Sequence, residues 1–137
     1  MKKVVVNGCF DMLHYGHVKL LEFAAREIDS FVYVLIDSDL RIKQLKGNDR
    51  PISNEVERKF LLESLRFVDR VEIFNSDTEL ENKIKLYQPD LMIKGSDYKS
   101  KPIIGQEYCK EIVFYDRIEP YSTTEKIKNI INWRNLY

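Results

Sequence analysis

The chain has 137 residues, with 22 lysines and arginines against 22 aspartates and glutamates, and two histidines. That length suits one domain whose core needs no disulfide or metal staple. A hydrophobic share of 44% with 32% charged residues excludes a disordered chain, and a formal net charge of zero excludes a nucleic-acid binder that works by overall basicity.

The elements follow in alternation. Val4–Val6 is a short β-branched run stopped by Asn7-Gly8, which suits a buried strand. From Gly16 the pattern turns helical, with Val18, Leu21 and Ala25 on one face and Leu20 and Ala24 beside them. Phe31–Ile36 reads as the second strand. Residues 40–51 read as a basic, irregular segment punctuated by Gly47 and Pro51, with Arg41, Lys43, Lys46 and Arg50 against Asp49. Asn54 and Glu57 form a capping-box pair ahead of a helix whose apolar stripe is expected at Val56, Phe60, Leu61 and Leu65. Val71–Phe74 is the third strand. Ser76 and Glu79 start a further helix carrying Leu80, Ile84 and Tyr87, which Pro89 ends. Leu91–Ile93 is the fourth strand, a short helix is expected around Gln106–Cys109, and Ile112–Tyr115 is the fifth strand. Ser122 with Glu125 opens a last helix backed by Ile127, Ile130 and Ile131.

Strands alternating with helices imply an α/β fold, a Rossmann-like, doubly wound, five-stranded parallel sheet in a single domain over 1–137. In such sheets ligands sit beyond the C-terminal strand ends, where strand order reverses. The loops to read for chemistry are therefore 7–17, 37–50, 94–105 and 116–124. Cys9 and Cys109 lie a hundred residues apart in no C-x-x-C or disulfide pattern, and the apolar stretch after Met1 is too short for a signal peptide, so a cytoplasmic protein is expected. The longest clean apolar run, Phe31–Ile36, spans no membrane.

In the first loop, a helix N-terminus points into that crevice, and its free N–H groups and dipole favour an anion. His14 and His17 lie three apart around the first turn and can both aim at it, while Gly8 and Gly16 allow close backbone approach. The loop is neither a Walker A nor a G-x-G-x-x-G sequence. In the last loop, Ser122, Thr123 and Thr124 can cap the helix or bind phosphate oxygens. Cys9, Asp11, His14 and His17 are zinc-type donors, but their spacing matches no common zinc framework, so no metal site is expected from them.

The run Gly8-Cys9-Phe10-Asp11-Met12-Leu13-His14-Tyr15-Gly16-His17 resembles the G-x-F-D-x-x-H-x-G-H signature of the cytidylyltransferase-like nucleotidylyltransferases. Arg117 to Thr124 resembles that superfamily's second signature, R-T-E-G-I-S-T-T, with Pro120 in place of the glycine. The segments Leu45–Pro51, Lys94–Tyr98 and Ile104–Glu107 resemble the adenylyltransferase domain of ADP-heptose synthesis, while the Arg117-x-Glu119 pair resembles glycerol-3-phosphate and choline- or ethanolamine-phosphate cytidylyltransferases. The resemblance implies transfer of a nucleotidyl group from ATP or CTP to a small phosphorylated acceptor, with release of pyrophosphate. The acceptor phosphate has a second pKa of about 6 and is already ionised at pH 7, so no general base is needed. The enzyme's work is positioning and charge stabilisation.

The roles implied are as follows. His14 and His17 donate to the phosphates, and Arg117 and Lys46 add positive charge there. The nucleotide lies against Gly8, Cys9, Phe10, Gly16, Lys94, Gly95, Asp97, Tyr121, Ser122, Thr123 and Thr124. Asp11, Lys43, Arg66 and Tyr98 are the acceptor-side candidates, Asp11 more as an organiser of its loop than as a reactant. Mg²⁺ is expected to travel with the nucleotide. The resemblance further implies a homodimer, with no nucleic-acid or membrane partner. A different class, a non-catalytic nucleotide-binding module on the same fold, would bind the triphosphate without releasing pyrophosphate.

Overall fold

The computed structural model describes residues 1–26, 29–118 and 121–136. Five parallel strands, β1 (Lys2–Gly8), β2 (Ser30–Asp37), β3 (Arg70–Phe74), β4 (Leu91–Gly95) and β5 (Glu111–Tyr115), form one sheet in the order β3-β2-β1-β4-β5. Helices α1 (Tyr15–Ala24), α2 (Asp39–Lys46), α3 (Glu55–Glu63), α4 (Asp77–Tyr87) and α5 (Thr123–Leu136) connect or follow them. This is the Rossmann-like architecture expected from the alternation. Strand order reverses between β1 and β4, where Val4–Val6 pair with Leu91–Ile93.

Both faces of the sheet are covered, which is why its central strands are apolar at consecutive positions. Val4, Val6, Val32, Val34, Ile36 and Ile93 pack on the face that carries α1 and α3, through Leu21, Ala24 and Leu62. Val5, Tyr33, Leu35, Phe74 and Met92 pack on the face that carries α4, through Leu80 and Ile84. Each fully buried aliphatic side chain stabilises the fold by roughly 1.5–3 kcal/mol.

The expected caps are present at three helix starts. Asn54 Oδ1 accepts from the Glu57 amide at 2.9 Å, Ser76 Oγ from Glu79 at 3.1 Å, and Ser122 Oγ from Glu125 at 3.0 Å. The short helix expected at Gln106–Cys109 is a 3₁₀ turn over Gln106–Tyr108.

Two expectations are corrected. Residues 40–51 are not irregular throughout, because α2 occupies Asp39–Lys46. Ser38 caps its start by accepting from the Arg41 amide at 3.1 Å, Asp39 sits in the first turn, Lys43 and Lys46 in the last, and Gly47 ends it at φ +96°. These charges match the helix dipole at both ends, and Ile42 anchors the helix in the interior. The apolar stripe of α3 is also displaced. Val56 and Phe60 are 75% and 69% exposed, whereas the inward face carries Arg58, Leu62 and Leu65 at i, i+4 and i+7. A buried arginine wins that face because its guanidinium finds carbonyl and carboxylate partners there, as described below. On α5, Ile130 and Ile131 are likewise exposed, and with Ile127, Met12 and Ile52 they line a shallow apolar hollow of about 240 Å³. Among the described residues no helix is long and apolar enough to cross a membrane.

Candidate active site

A cavity of about 580 Å³ opens across the C-terminal ends of β1, β2, β4 and β5, at the reversal of strand order. That volume lies within the usual range for small-molecule sites.

The loop from β1 to α1 builds its centre. Phe10 and Met12 adopt left-handed backbone at φ +52° and +50°, conformations that cost a non-glycine residue on the order of 1–3 kcal/mol each. Phe10 holds its place because its ring is buried in the core beneath the loop. Asp11 ties the loop to two other segments. Its Oδ1 accepts from the Ser53 amide at 2.8 Å, and its Oδ2 accepts from the Ile52 amide at 2.9 Å and from Arg50 Nε at 3.3 Å. Its carbonyl accepts from the Thr123 hydroxyl at the start of α5. The Asp11 carboxylate is thus consumed within the chain as an organiser of the loop.

His14 is the N-cap of α1. Its Nδ1 accepts from the Gly16 amide at 3.1 Å, while the Nδ1 of His17 accepts from the His14 amide at 3.2 Å. The two rings stack with centroids 3.7 Å apart and 23° between their planes. An Nδ1 that accepts carries no proton, so each neutral ring bears its hydrogen on Nε2. Electrostatics favour the neutral form. Burial, reinforced by His14 and opposed by Asp11, pushes His17 down to about 3. Burial, then Lys126 and Arg117, push His14 down as well. At pH 7 the pair offers two fixed Nε2–H donors at a helix N-terminus. Gly16 makes this possible, because a Cβ there would lie 3.0 Å from His14 Cε1 and 3.2 Å from its Nδ1.

Around this pair lie Arg117, Tyr121, Ser122, Thr123 and Thr124 from the α5 side, and Lys46 and Arg50 from the segment after β2. Gly8, Cys9, Phe10, Lys94, Gly95, Asp97 and Tyr98 complete the sequence-derived residues that the structure brings to the same cavity. A Cβ at Gly95 would sit 2.6 Å from Asp97 Oδ1 and would oblige that carboxylate to move. The Cys9 thiol donates to Asp37 Oδ2 at 3.4 Å, and burial with the Asp37 charge pushes its pKa up against the pull of Lys46. It is a protonated donor rather than a nucleophile.

Two acceptor-side candidates lie elsewhere. Lys43 is exposed, and its ammonium donates to the carbonyls of Asn48 and Arg50, both at 3.3 Å, closing the turn after α2. Arg66 is exposed over the Phe67 ring at 4.9 Å, on the segment that enters β3 from the opposite edge of the sheet. Glu119 and Pro120 lie outside the described residues.

Several residues at the site were given no individual role from sequence, although the first four fall in the loops expected to carry the chemistry. Asn7, Asp37, Arg41 and Arg50 line the cavity. Asp37 Oδ1 accepts from Arg41 Nε at 2.7 Å, one turn into α2. Arg58, 1% exposed, sits beneath the site. Its Nη1 donates to the carbonyls of Cys9 at 2.9 Å and Asp37 at 2.7 Å, its Nε to the Ser53 carbonyl at 2.9 Å, and its Nη2 to Asp39 Oδ1 at 2.8 Å. One guanidinium therefore ties together the ends of β1 and β2 and the two segments that follow them. Its only sequence signal was a lone arginine at the helical spacing of Leu62 and Leu65. Among the described residues, no three of His, Cys, Asp and Glu are grouped as a metal-binding set.

A family model described as cytidylyltransferase-like matches residues 5–131. The chain belongs to the cytidylyltransferase-like family. Among curated proteins it is 45% identical over 127 residues to the bifunctional protein HldE of Nitratiruptor sp., covering 93% of this chain and 27% of that protein. It is 47% identical over 135 residues to the bifunctional protein HldE of Campylobacter concisus, covering 98% of this chain and 28% of that protein. The chain thus spans little more than a quarter of the length of these relatives. Among solved structures it resembles the lipopolysaccharide core biosynthesis protein from Thermoplasma volcanium, at a TM-score of 0.61 and 26% identity, over 89% of this chain and 99% of that one. Pantothenate synthetase from Thermus thermophilus shares the fold at a TM-score of 0.61 and 17% identity, over 93% of this chain and 64% of that one.

Proposed function

We propose that this chain is a nucleotidylyltransferase that moves AMP from ATP to a heptose 1-phosphate or a similar sugar 1-phosphate and releases pyrophosphate. The observation that carries the reading is the stacked His14–His17 pair, with both Nδ1 atoms occupied by backbone amides at the N-terminus of α1. Its two Nε2–H donors suit a phosphate whose negative charge grows during the reaction. An oxygen of the acceptor phosphate attacks the α-phosphorus, the bond to the bridging oxygen breaks, and pyrophosphate departs with the electron pair. The donors, the α5 N-terminus and the charges of Lys46 and Arg117 stabilise the departing group.

Magnesium enters this reading as part of the substrate. Among the described residues, Asp11 and Asp37 are engaged by backbone amides, Arg50, Arg41 and the Cys9 thiol, which supports an ion carried by the nucleotide over one held by these two carboxylates. A magnesium ion carried by the nucleotide would neutralise part of the triphosphate charge.

The resemblance of Leu45–Pro51, Lys94–Tyr98 and Ile104–Glu107 to the adenylyltransferase domain of ADP-heptose synthesis, beside the similarity to the HldE proteins, supports ATP and a sugar-phosphate acceptor. The cytidylyltransferase-like family description, with the Arg117-x-Glu119 resemblance, supports a second reading, a CTP-dependent enzyme acting on glycerol 3-phosphate or on phosphoethanolamine or phosphocholine. The exposed Ile52, Val56, Phe60, Ile130 and Ile131 support a homodimer, which sedimentation velocity measures. A cytoplasmic setting, without nucleic-acid or membrane partners, completes the proposal and is checked by cell fractionation. The deciding experiment is a pyrophosphate-release assay that crosses ATP and CTP with heptose 1-phosphate, glycerol 3-phosphate and phosphoethanolamine. Turnover with ATP and heptose 1-phosphate is expected. Turnover with CTP alone would select the second reading, and nucleotide binding without pyrophosphate release from any pair would make the chain a binding module.

A further inference from the structure

The cavity wraps over the C-terminal edge of the sheet, and its two halves belong to opposite faces. Val6 and Ile93 point to the α1 face, so their neighbours Asn7 and Lys94 point to the α4 face, as Asp37 does in register with Tyr33 and Leu35. The histidine pair and the start of α5 stand on the α1 side. An in-line displacement puts the entering and departing oxygens on opposite sides of the phosphorus. If the histidines hold the departing pyrophosphate, the acceptor enters from the α4 side.

That half is polar at its floor and apolar at its walls. Lys94 Nζ lies 3.3 Å from Asn7 Oδ1 and 4.3 Å from the centre of the Tyr98 ring. Arg41 pairs with Asp37 at 2.7 Å and lies 5.2 Å over the Phe74 ring. Leu80, Ile103 and Ile104 close the wall. A cationic acceptor body, such as an ammonium or trimethylammonium group, binds through a bare aromatic face or an uncommitted carboxylate. Here Phe74 is buried, and each ring already carries one of the chain's own cations over a face. Asp37 is held by Arg41 and the Cys9 thiol, and the charges of Asp37 and Asp97 both bear on Lys94. The Lys94 ammonium, with the Arg41–Asp37 pair beside it, instead presents donors to the oxygens of a hydroxylated acceptor.

Resting on the nucleotidyl-transfer reading above, we propose that Lys94, with Asp37 and Arg41, selects the acceptor, admitting a hydroxylated phosphate monoester such as a sugar or polyol phosphate and rejecting an amino-alcohol phosphate. Lys94 touches the acceptor rather than the nucleotide.

The test compares wild type, Lys94→Met and Lys94→Gln with ATP and CTP, and with heptose 1-phosphate, glycerol 3-phosphate and phosphoethanolamine. Thermal melts confirm that each variant is folded. Wild type is expected to prefer the hydroxylated acceptors over phosphoethanolamine by about a hundredfold or more in kcat/KM. Each variant is expected to raise the KM of the preferred acceptor by about ten- to hundredfold, the range for one lost hydrogen bond to a charged group, with the nucleotide KM and kcat within about threefold. Wild-type preference for phosphoethanolamine, or a rise in nucleotide KM or fall in kcat with acceptor KM unchanged in both variants, overturns the inference and leaves nucleotidyl transfer standing. Absence of turnover with every pair overturns nucleotidyl transfer itself, and the inference with it.

Discussion

Acidification should weaken the fold through His17 in a way that a single substitution removes. His17 is held down to about 3 in the folded chain, against an ordinary value of 6.5. Between those values the unfolded chain binds a proton that the folded chain refuses, so stability is full above pH 6.5 and is lost as pH falls towards 3. At pH 5 the unfolded imidazole is protonated about thirtyfold over neutral while the folded one stays neutral, a difference of about 2 kcal/mol. The folded ring resists because its Nδ1 must accept from the His14 amide and because it is stacked on a second imidazole. In His17→Asn, Oδ1 can accept from the same amide without titrating. Urea unfolding at pH 8 and pH 5 should therefore show wild type losing about 2 kcal/mol more than His17→Asn across that interval. The shared carboxylates cancel in the comparison. A difference below about 0.5 kcal/mol, or an NMR titration that places His17 near 6.5, would refute the fixed neutral tautomer.

Two further outcomes follow from the packing around the histidines. Gly16→Ala should leave the melting temperature nearly unchanged, because alanine favours the helix, yet lower kcat about a hundredfold by pushing the His14 ring off its cap; near-normal kcat would show that the ring position does not matter. Arg58→Met should destabilise the fold by about 3–5 kcal/mol in urea unfolding, since it leaves Asp39 and the carbonyls of Cys9, Asp37 and Ser53 without their buried donor, and a loss below about 1 kcal/mol would contradict that role.

The parts of the molecule legible from sequence are those decided by neighbouring residues. The strand runs, the caps at Asn54, Ser76 and Ser122, and the glycine–histidine loop each depend on a few adjacent side chains, and each falls within about two residues of its expected place. The inward face of α3 was not legible, because Arg58 is buried by carbonyls 49 and 21 positions away at Cys9 and Asp37. Hydrophobic periodicity alone prefers Val56 and Phe60, which point outwards. The helix α2 was hidden by its low apolar content, although Ser38 and Gly47 mark both ends. Lys43 and Arg66 share the composition of a phosphate contact, but the turn after α2 and the entry to β3 carry them away from the cavity. Asp37 and Arg41 gain their place only when β2 pairs beside β1 and the first turn of α2 brings Arg41 back to Asp37.

The central claim is that the stacked histidine pair stabilises a departing pyrophosphate. The most direct measurement is the rate of pyrophosphate release from ATP and heptose 1-phosphate by wild type, His14→Ala and His17→Ala, with folding checked by circular dichroism. Release by wild type and a fall in kcat of about a hundredfold or more in each variant are expected, the scale for losing one transition-state donor. Wild-type release that survives both substitutions at a near-normal rate would contradict the claim.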